Sequence, residues 1–197
     1  METLIQGITD NWTVWFVTIV LVVAAVIDGA ILKVPNWLTF PFIVMGWVHC
    51  TIQGGFGYAS YSVNGDFVSG GLLFSLLGTF VGMMLLLLLR NRGGMGAGDV
   101  KLLAGVGAWL GMEVTLYAFA ATAIVGGVMG LVMILKSGNW HKHYAMAHQI
   151  IGEWKTKKPA ELASIARERK PTMYLLPYGI PMAIGSIAYF AIAGMLV

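Results

Sequence analysis

All twelve Lys and Arg residues of this 197-residue chain fall on one side of six apolar stretches. The stretches run from about Trp12 to Ile27, Trp37 to Ile52, Val68 to Leu89, Asp99 to Leu110, Val114 to Leu135, and Met173 to the C-terminus. A spanning helix takes about 20 largely apolar residues. The third stretch, with Leu85 to Leu89 near its end, is the clearest. The fourth is short, so it is tucked into the bundle, thins the bilayer, or runs on past Gly111. Lys33 lies between the first two stretches, Arg90 and Arg92 follow the third, and Lys101 opens the fourth. The remaining basic residues run from Lys136 to Lys170, and the other side carries Glu2, Asp10, Asp66 and Glu113. One helix more or fewer would scatter the basic residues over both sides. The positive-inside rule then makes the basic side cytoplasmic and both termini extracytoplasmic. The expected fold is all-α and integral to the cell membrane: a six-transmembrane-helix bundle forming one polytopic domain over residues 1–197. Its cytoplasmic loops would cover about 29–36, 90–98 and 136–172.

Composition agrees. The chain is 58% hydrophobic and 11% charged, whereas soluble domains carry about 25% charged residues. Its 26 glycines suit close helix packing in lipid. The net charge of +3 follows from topology and gives no reason to invoke nucleic acid. A lone Cys50 excludes a disulfide within the chain and a Cys-based zinc site, and reads as a small packing residue. Met1 to Asn11 carries Glu2 and Asp10 and no Lys or Arg. That is the wrong sign for a secretory signal, so the first stretch is kept as an anchor.

Among the connections, Gly54 to Phe67 reads as a plain outer connector. The one long loop runs from Ser137 to Thr172. Within it, Pro159 to Arg169 reads as a short helix with an apolar stripe of Leu162, Ile165 and Ala166. Either this segment lies on the anionic leaflet or it is a solvated basic loop.

Two carboxylates stand out. Asp28 closes the first stretch and Asp99 opens the fourth, in Met95-Gly96-Ala97-Gly98-Asp99. Ionisable groups at membrane depth are costly and tend to be functional. The topology puts both at the cytoplasmic edge. If their helices are neighbours the two share a proton, one acting as base on water and the other as acid. That is aspartic peptidase chemistry, with no metal and no cofactor. Gly96 and Gly98 leave room for close backbone approach, including that of an extended substrate. Other readings stand beside this one. Asp99 caps a helix, Asp28 pairs with Lys33, or the two serve ion or proton movement in a transporter or scaffold. His141, His143 and His148 are loosely metal-like in spacing, but no Cys joins them. His49 reads as a satisfied interior histidine, Glu113 as solvated, and the tryptophans as an interfacial belt.

These residues resemble the type IV prepilin peptidases, bacterial members of the GxGD aspartic proteases. Three motifs carry the resemblance: Asp28 followed by Lys33-x-Pro35-Asn36-x-Leu38-Thr39, then Gly96-Ala97-Gly98-Asp99-Val100-Lys101-Leu102, then Pro177-Tyr178-Gly179. Family members carry Tyr or Phe at the middle position of the last. The resemblance implies Asp28 and Asp99 as the catalytic pair. It implies Gly96, Gly98, Lys33, Pro35, Asn36, Lys101, Pro177, Tyr178 and Gly179 as residues that shape the site or bind substrate. For Lys33 and Lys101 the alternative is a plain basic anchor. The implied substrate is a prepilin or pseudopilin, cut after its short basic leader at the cytoplasmic face. The implied partners are membrane lipid and pilus or secretion machinery, and the implied location is the cytoplasmic (inner) membrane. The chain resembles the short class, without the N-terminal methylating domain, that serves tight-adherence (Flp-type) pili. An archaeal-type preflagellin peptidase shares the same plan. A presenilin-like protease fits less well, because Ile27 rather than Tyr precedes Asp28.

Overall fold

The computed structural model describes residues 11–58, 62–63, 66–67, 70–90, 96–136, 138, 148–149, 152–153, 161, 165 and 177–196. Its helices are α1 (Trp12–Ile31), α2 (Asn36–Gly54), α3 (Leu72–Arg90), α4 (Ala97–Lys136) and α5 (Gly179–Ile192). Between α2 and α3 a short antiparallel ladder pairs β1 (Ser62–Val63) with β2 (Asp66–Phe67). The plain connector expected there therefore carries a hairpin pairing.

By length and composition, α1 and α4 are apolar enough to cross a membrane, and Leu72–Leu88 and α5 are shorter apolar helices. Much of the outer surface is bare hydrocarbon: Val26 and Ile124 are each 68% exposed and Ile192 86%. So many exposed large apolar side chains suit a surface that faces lipid.

The expected fourth and fifth stretches form one helical element, α4, broken at Gly111. Gly111 sits at φ 76°, ψ −176°, a conformation that glycine adopts without the steric cost of a Cβ. The Phe74 ring fills the space where a Cβ would stand. Just before the break, the Ala108 carbonyl accepts from Ser75 Oγ at 2.5 Å and from Cys50 Sγ at 3.5 Å. After it, Thr115 Oγ1 donates to the Gly111 carbonyl at 2.6 Å. Buried carbonyls near a helix break need such internal donors.

The break gives α4 two arms, and six helical arms are present among the described residues. Neighbours along the arms set their directions. Val34, Phe42 and Gly46 meet Gly98, Gly105 and Ala108, so α2 runs parallel to the first arm of α4. Phe74, Gly78 and Gly82 meet Gly111, Gly107 and Leu103, so α3 runs antiparallel to it. Tyr117 stacks on Tyr189, Thr122 meets Gly185 and Gly126 meets Pro181, so the second arm runs antiparallel to α5. The start of α1 lies at Trp109, where Trp12 packs edge-on at 6.0 Å, and its last turns lie at the start of α5.

Gly78 and Gly107 press backbone to backbone, and a Cβ on either would collide with the other's carbonyl oxygen. Overpacking costs about 1–3 kcal/mol. Gly107→Val is therefore expected to lower the apparent melting temperature in detergent clearly, and Gly127→Val, which meets nothing within 4 Å, much less.

One interior expectation is corrected. His49 stacks on Trp109 at 5.0 Å and meets Trp12 edge-on at 4.9 Å. Neither of its buried ring nitrogens has a hydrogen-bond partner among the described residues. Aromatic packing, rather than hydrogen bonding, holds this ring. The short helix read over Pro159 to Arg169 lies outside the described residues except for Glu161 and Ile165, which are helical. His141 and His143 also lie outside them.

Candidate active site

α1 ends on a left-handed residue, Leu32 (φ 53°), whose N–H bonds the Asp28 carbonyl at 2.8 Å. Pro35 then takes an extended conformation (φ −73°, ψ 147°) and starts α2 at Asn36. Proline suits this point because its ring disfavours helix in the residue before it. The short reversal from Leu32 to Pro35 keeps the end of α1 and the start of α2 at one end of the bundle.

Asp28 is 3% exposed in the last turns of α1. Its Oδ2 accepts the Gly179 N–H at 2.7 Å, a buried contact to the first residue of α5. A free amide at a helix N-terminus favours a carboxylate. Lys33 is exposed and makes no ion pair with Asp28 among the described residues.

Asp99 is 7% exposed in the first turn of α4. Its Oδ2 accepts the Gly96 N–H at 3.2 Å, the reach-back typical of the third residue of a helix. Asp99 thus contributes a capping bond while its carboxyl stays buried at the site.

Both carboxylates lie at the end of the bundle where Val34 meets Gly98, and Asp28 there meets the corner made by Pro177, Tyr178 and Gly179. The Gly179 amide holds Asp28. Pro177 and Tyr178 are half-buried and Gly179 is buried. Gly126, on the second arm of α4, backs the corner, with Tyr178 Cε2 3.8 Å and Pro181 Cβ 3.6 Å from where its Cβ would be. The site therefore draws on α1, both arms of α4, and α5.

Of the two motif glycines, Gly98 packs against a neighbouring segment and Gly96 is exposed. A Cβ on Gly98 would stand 2.5 Å from the Val34 carbonyl oxygen, so that space is taken by the same chain and not left to a substrate. A Cβ on Gly96 would stand 2.9 Å from Asp99 Oδ2. Lys101 does not reach toward Asp99. Residues two apart on a helix point to different faces, and Lys101 Nζ donates to Asn36 Oδ1 at 2.8 Å and sits 4.3 Å over the Phe40 ring.

Val34, Phe40 and Gly126 were not singled out from sequence. Phe40 had a legible signal, since it lies one turn beyond Asn36 on the same helix face. Val34 and Gly126 had none, because their roles depend on which helix packs beside them. Thr39 is fully buried, and its hydroxyl has no hydrogen-bond partner among the described residues.

The profile of the type IV leader peptidase family matches residues 15–131. The chain belongs to that family. The match contains both aspartates and ends before the Pro177–Gly179 corner. A prepilin leader peptidase/N-methyltransferase of Aeromonas hydrophila is 36% identical over 118 residues, 60% of this chain and 38% of the relative. One of Aeromonas salmonicida strain A449 is 32% identical over 131 residues, 65% of this chain and 43% of the relative. One of Neisseria gonorrhoeae is 30% identical over 119 residues, 60% of this chain and 38% of the relative. The matched region thus spans about two fifths of the length of these curated relatives. No solved structure matches the chain.

Proposed function

We propose that this chain is a membrane aspartic endopeptidase that removes the short basic leader of type IV prepilins or pseudopilins at the cytoplasmic face. The observation that carries this reading is the placement of two buried carboxylates, from helices far apart in sequence, at one end of the bundle, where Val34 meets Gly98 and Asp28 meets Gly179. Membership of a leader peptidase family and the names of the relatives support it.

The reaction needs one carboxyl of the pair ionised and the other protonated. The ionised carboxyl takes a proton from water as the water oxygen attacks the scissile carbonyl carbon. The protonated carboxyl hydrogen-bonds to the carbonyl oxygen as it becomes a hydroxyl. Collapse of the tetrahedral diol breaks the C–N bond, and a proton passes to the leaving nitrogen. The products are a leader acid and a free amine on the mature chain. In this reading the six helical arms all span the cell membrane, both termini are extracytoplasmic, and Lys33, Arg90, Arg92 and Lys101 mark the cytoplasmic edge. Lipid surrounds the bundle, and pilus or secretion machinery receives the product.

Membrane vesicles test both the activity and its sidedness. A soluble peptide spanning the leader and cut site of a prepilin is added to inverted inner-membrane vesicles and to spheroplasts of cells expressing the chain. Cleavage in inverted vesicles alone is expected. Cleavage only in spheroplasts would reverse the orientation, and cleavage in neither would remove the peptidase reading.

A further inference from the structure

Lys101 stands two residues after Asp99, yet its ammonium is committed elsewhere. It bonds Asn36 Oδ1 at 2.8 Å and lies 4.3 Å over the Phe40 ring, spanning one turn of α2. Just upstream on the same segment, the carbonyl of the buried Val34 takes the space where a Cβ on Gly98 would stand. The first turn of α4 is therefore held to α2 on two sides of Asp99 in sequence, by backbone contact at Gly98 and by a charge-assisted hydrogen bond at Lys101.

We propose that Lys101 is a positioning residue that acts through Asn36 and Phe40. It fixes the rotation of the first turn of α4, and with it the direction in which Asp99 presents its carboxyl at the end of the bundle it shares with Asp28. It touches neither the reacting atoms nor the aspartates. Two observations argue against a free cationic anchor at this position. The ammonium has a directed polar partner at hydrogen-bond length and an aromatic face beneath it. A free anchor needs neither, since a basic residue at the membrane edge is served by water and lipid phosphates alone. The contact also joins two of the motifs that carry the resemblance, which gives the Asn36 amide a role that its place at the helix start does not require.

The catalytic part of this inference rests on the function proposed above, so the test needs one readout that does not depend on cleavage. Lys101→Met keeps the side-chain stem and removes the ammonium, and Asn36→Ala removes its acceptor. Lys101→Arg keeps a cation with donors that reach Asn36. The first readout is hydrogen exchange of the amides from Val100 to Leu103 in the full-length protein in detergent. The strap predicts faster exchange in Lys101→Met and in Asn36→Ala, no further increase in the double variant, and near-normal exchange in Lys101→Arg.

The second readout is steady-state cleavage of a prepilin. The strap predicts a fall of about 10-fold in kcat with little change in KM for each single variant, since a displaced carboxyl slows chemistry more than binding. The double variant should match the singles, and Lys101→Arg should recover most of the rate. If the wild-type protein cleaves no prepilin, the functional reading fails and the exchange data still decide the strap. Unchanged exchange in both single variants, or additive losses in the double, would overturn it. So would a loss in Lys101→Met with none in Asn36→Ala, which is the behaviour of a basic anchor.

Discussion

Asp28→Asn or Asp99→Asn is expected to abolish leader cleavage and leave the protein folded. An amide cannot take a proton from water or return one to a leaving nitrogen, so each substitution removes a step that the other carboxyl cannot perform. The carbonyl oxygen of an Asn at position 28 can still accept the Gly179 N–H that Asp28 Oδ2 now accepts at 2.7 Å. At position 99 it can still accept the Gly96 N–H. Both capping bonds therefore survive, and the neutral amides relieve the cost of two buried acids. The expected fall in kcat is about 10³-fold or more, with substrate binding retained. Because the pair acts as a unit, the double variant should be no slower than either single. Steady-state kinetics of the three variants, each shown by its melting curve to be folded, checks this. Retention of substantial activity by either single variant would remove that residue from the catalytic pair.

Gly179→Ala is the second large effect. The added Cβ would lie 2.9 Å from Asp28 Cβ, 3.1 Å from its Oδ2 and 3.3 Å from its Cγ. Relief requires either that α5 draws back, which withdraws the amide, or that Asp28 rotates, which moves the carboxyl. Either way the geometry between Asp28 and the Tyr178–Gly179 corner is lost. A misplacement of about 1 Å can cost about 100-fold in rate, and a fall of that order in kcat is expected. Alanine is also the better helix former by about 1 kcal/mol, so the helix itself is not the weak point. Gly127→Ala is the matched control, since a Cβ there meets nothing within 4 Å, and it should keep full activity. Equal activity in the two variants would mean that the Gly179 amide does not position Asp28.

The features legible in the sequence were those set by local chemistry and by the membrane as solvent. The run of apolar stretches foretold helices, and Asp28 and Asp99 were read at one edge because the basic residues oriented every stretch. The break at Gly111 was only half legible. A glycine inside an apolar run is compatible with a continuous helix, and what fixes the break is the Phe74 ring seated on it. The inward packing of Gly98 was not legible, since nothing in Gly-x-Gly-Asp says whether a neighbouring backbone comes from substrate or from Val34. The direction of Lys101 was legible in principle: two residues on a helix turn a side chain away from Asp99, although its attachment to Asn36 needed the fold. The Pro177–Gly179 corner lies beyond the region that the family profile matches, and its contact with Asp28 came from the packing of α5 on α1. The β1–β2 pairing had its own local signal in Asn64-Gly65, a dipeptide favoured in tight hairpins.

Whether Asp28 and Asp99 together cut a prepilin leader is read from the mass of the product. Purified protein in lipid is incubated with a short-leader prepilin, and mass spectrometry reads the new N-terminus, with Asp28→Asn and Asp99→Asn alongside. One cut is expected, just before the hydrophobic helix of the substrate, absent in both variants. A cut elsewhere, a cut that survives both substitutions, or no cut in any short-leader prepilin would contradict it.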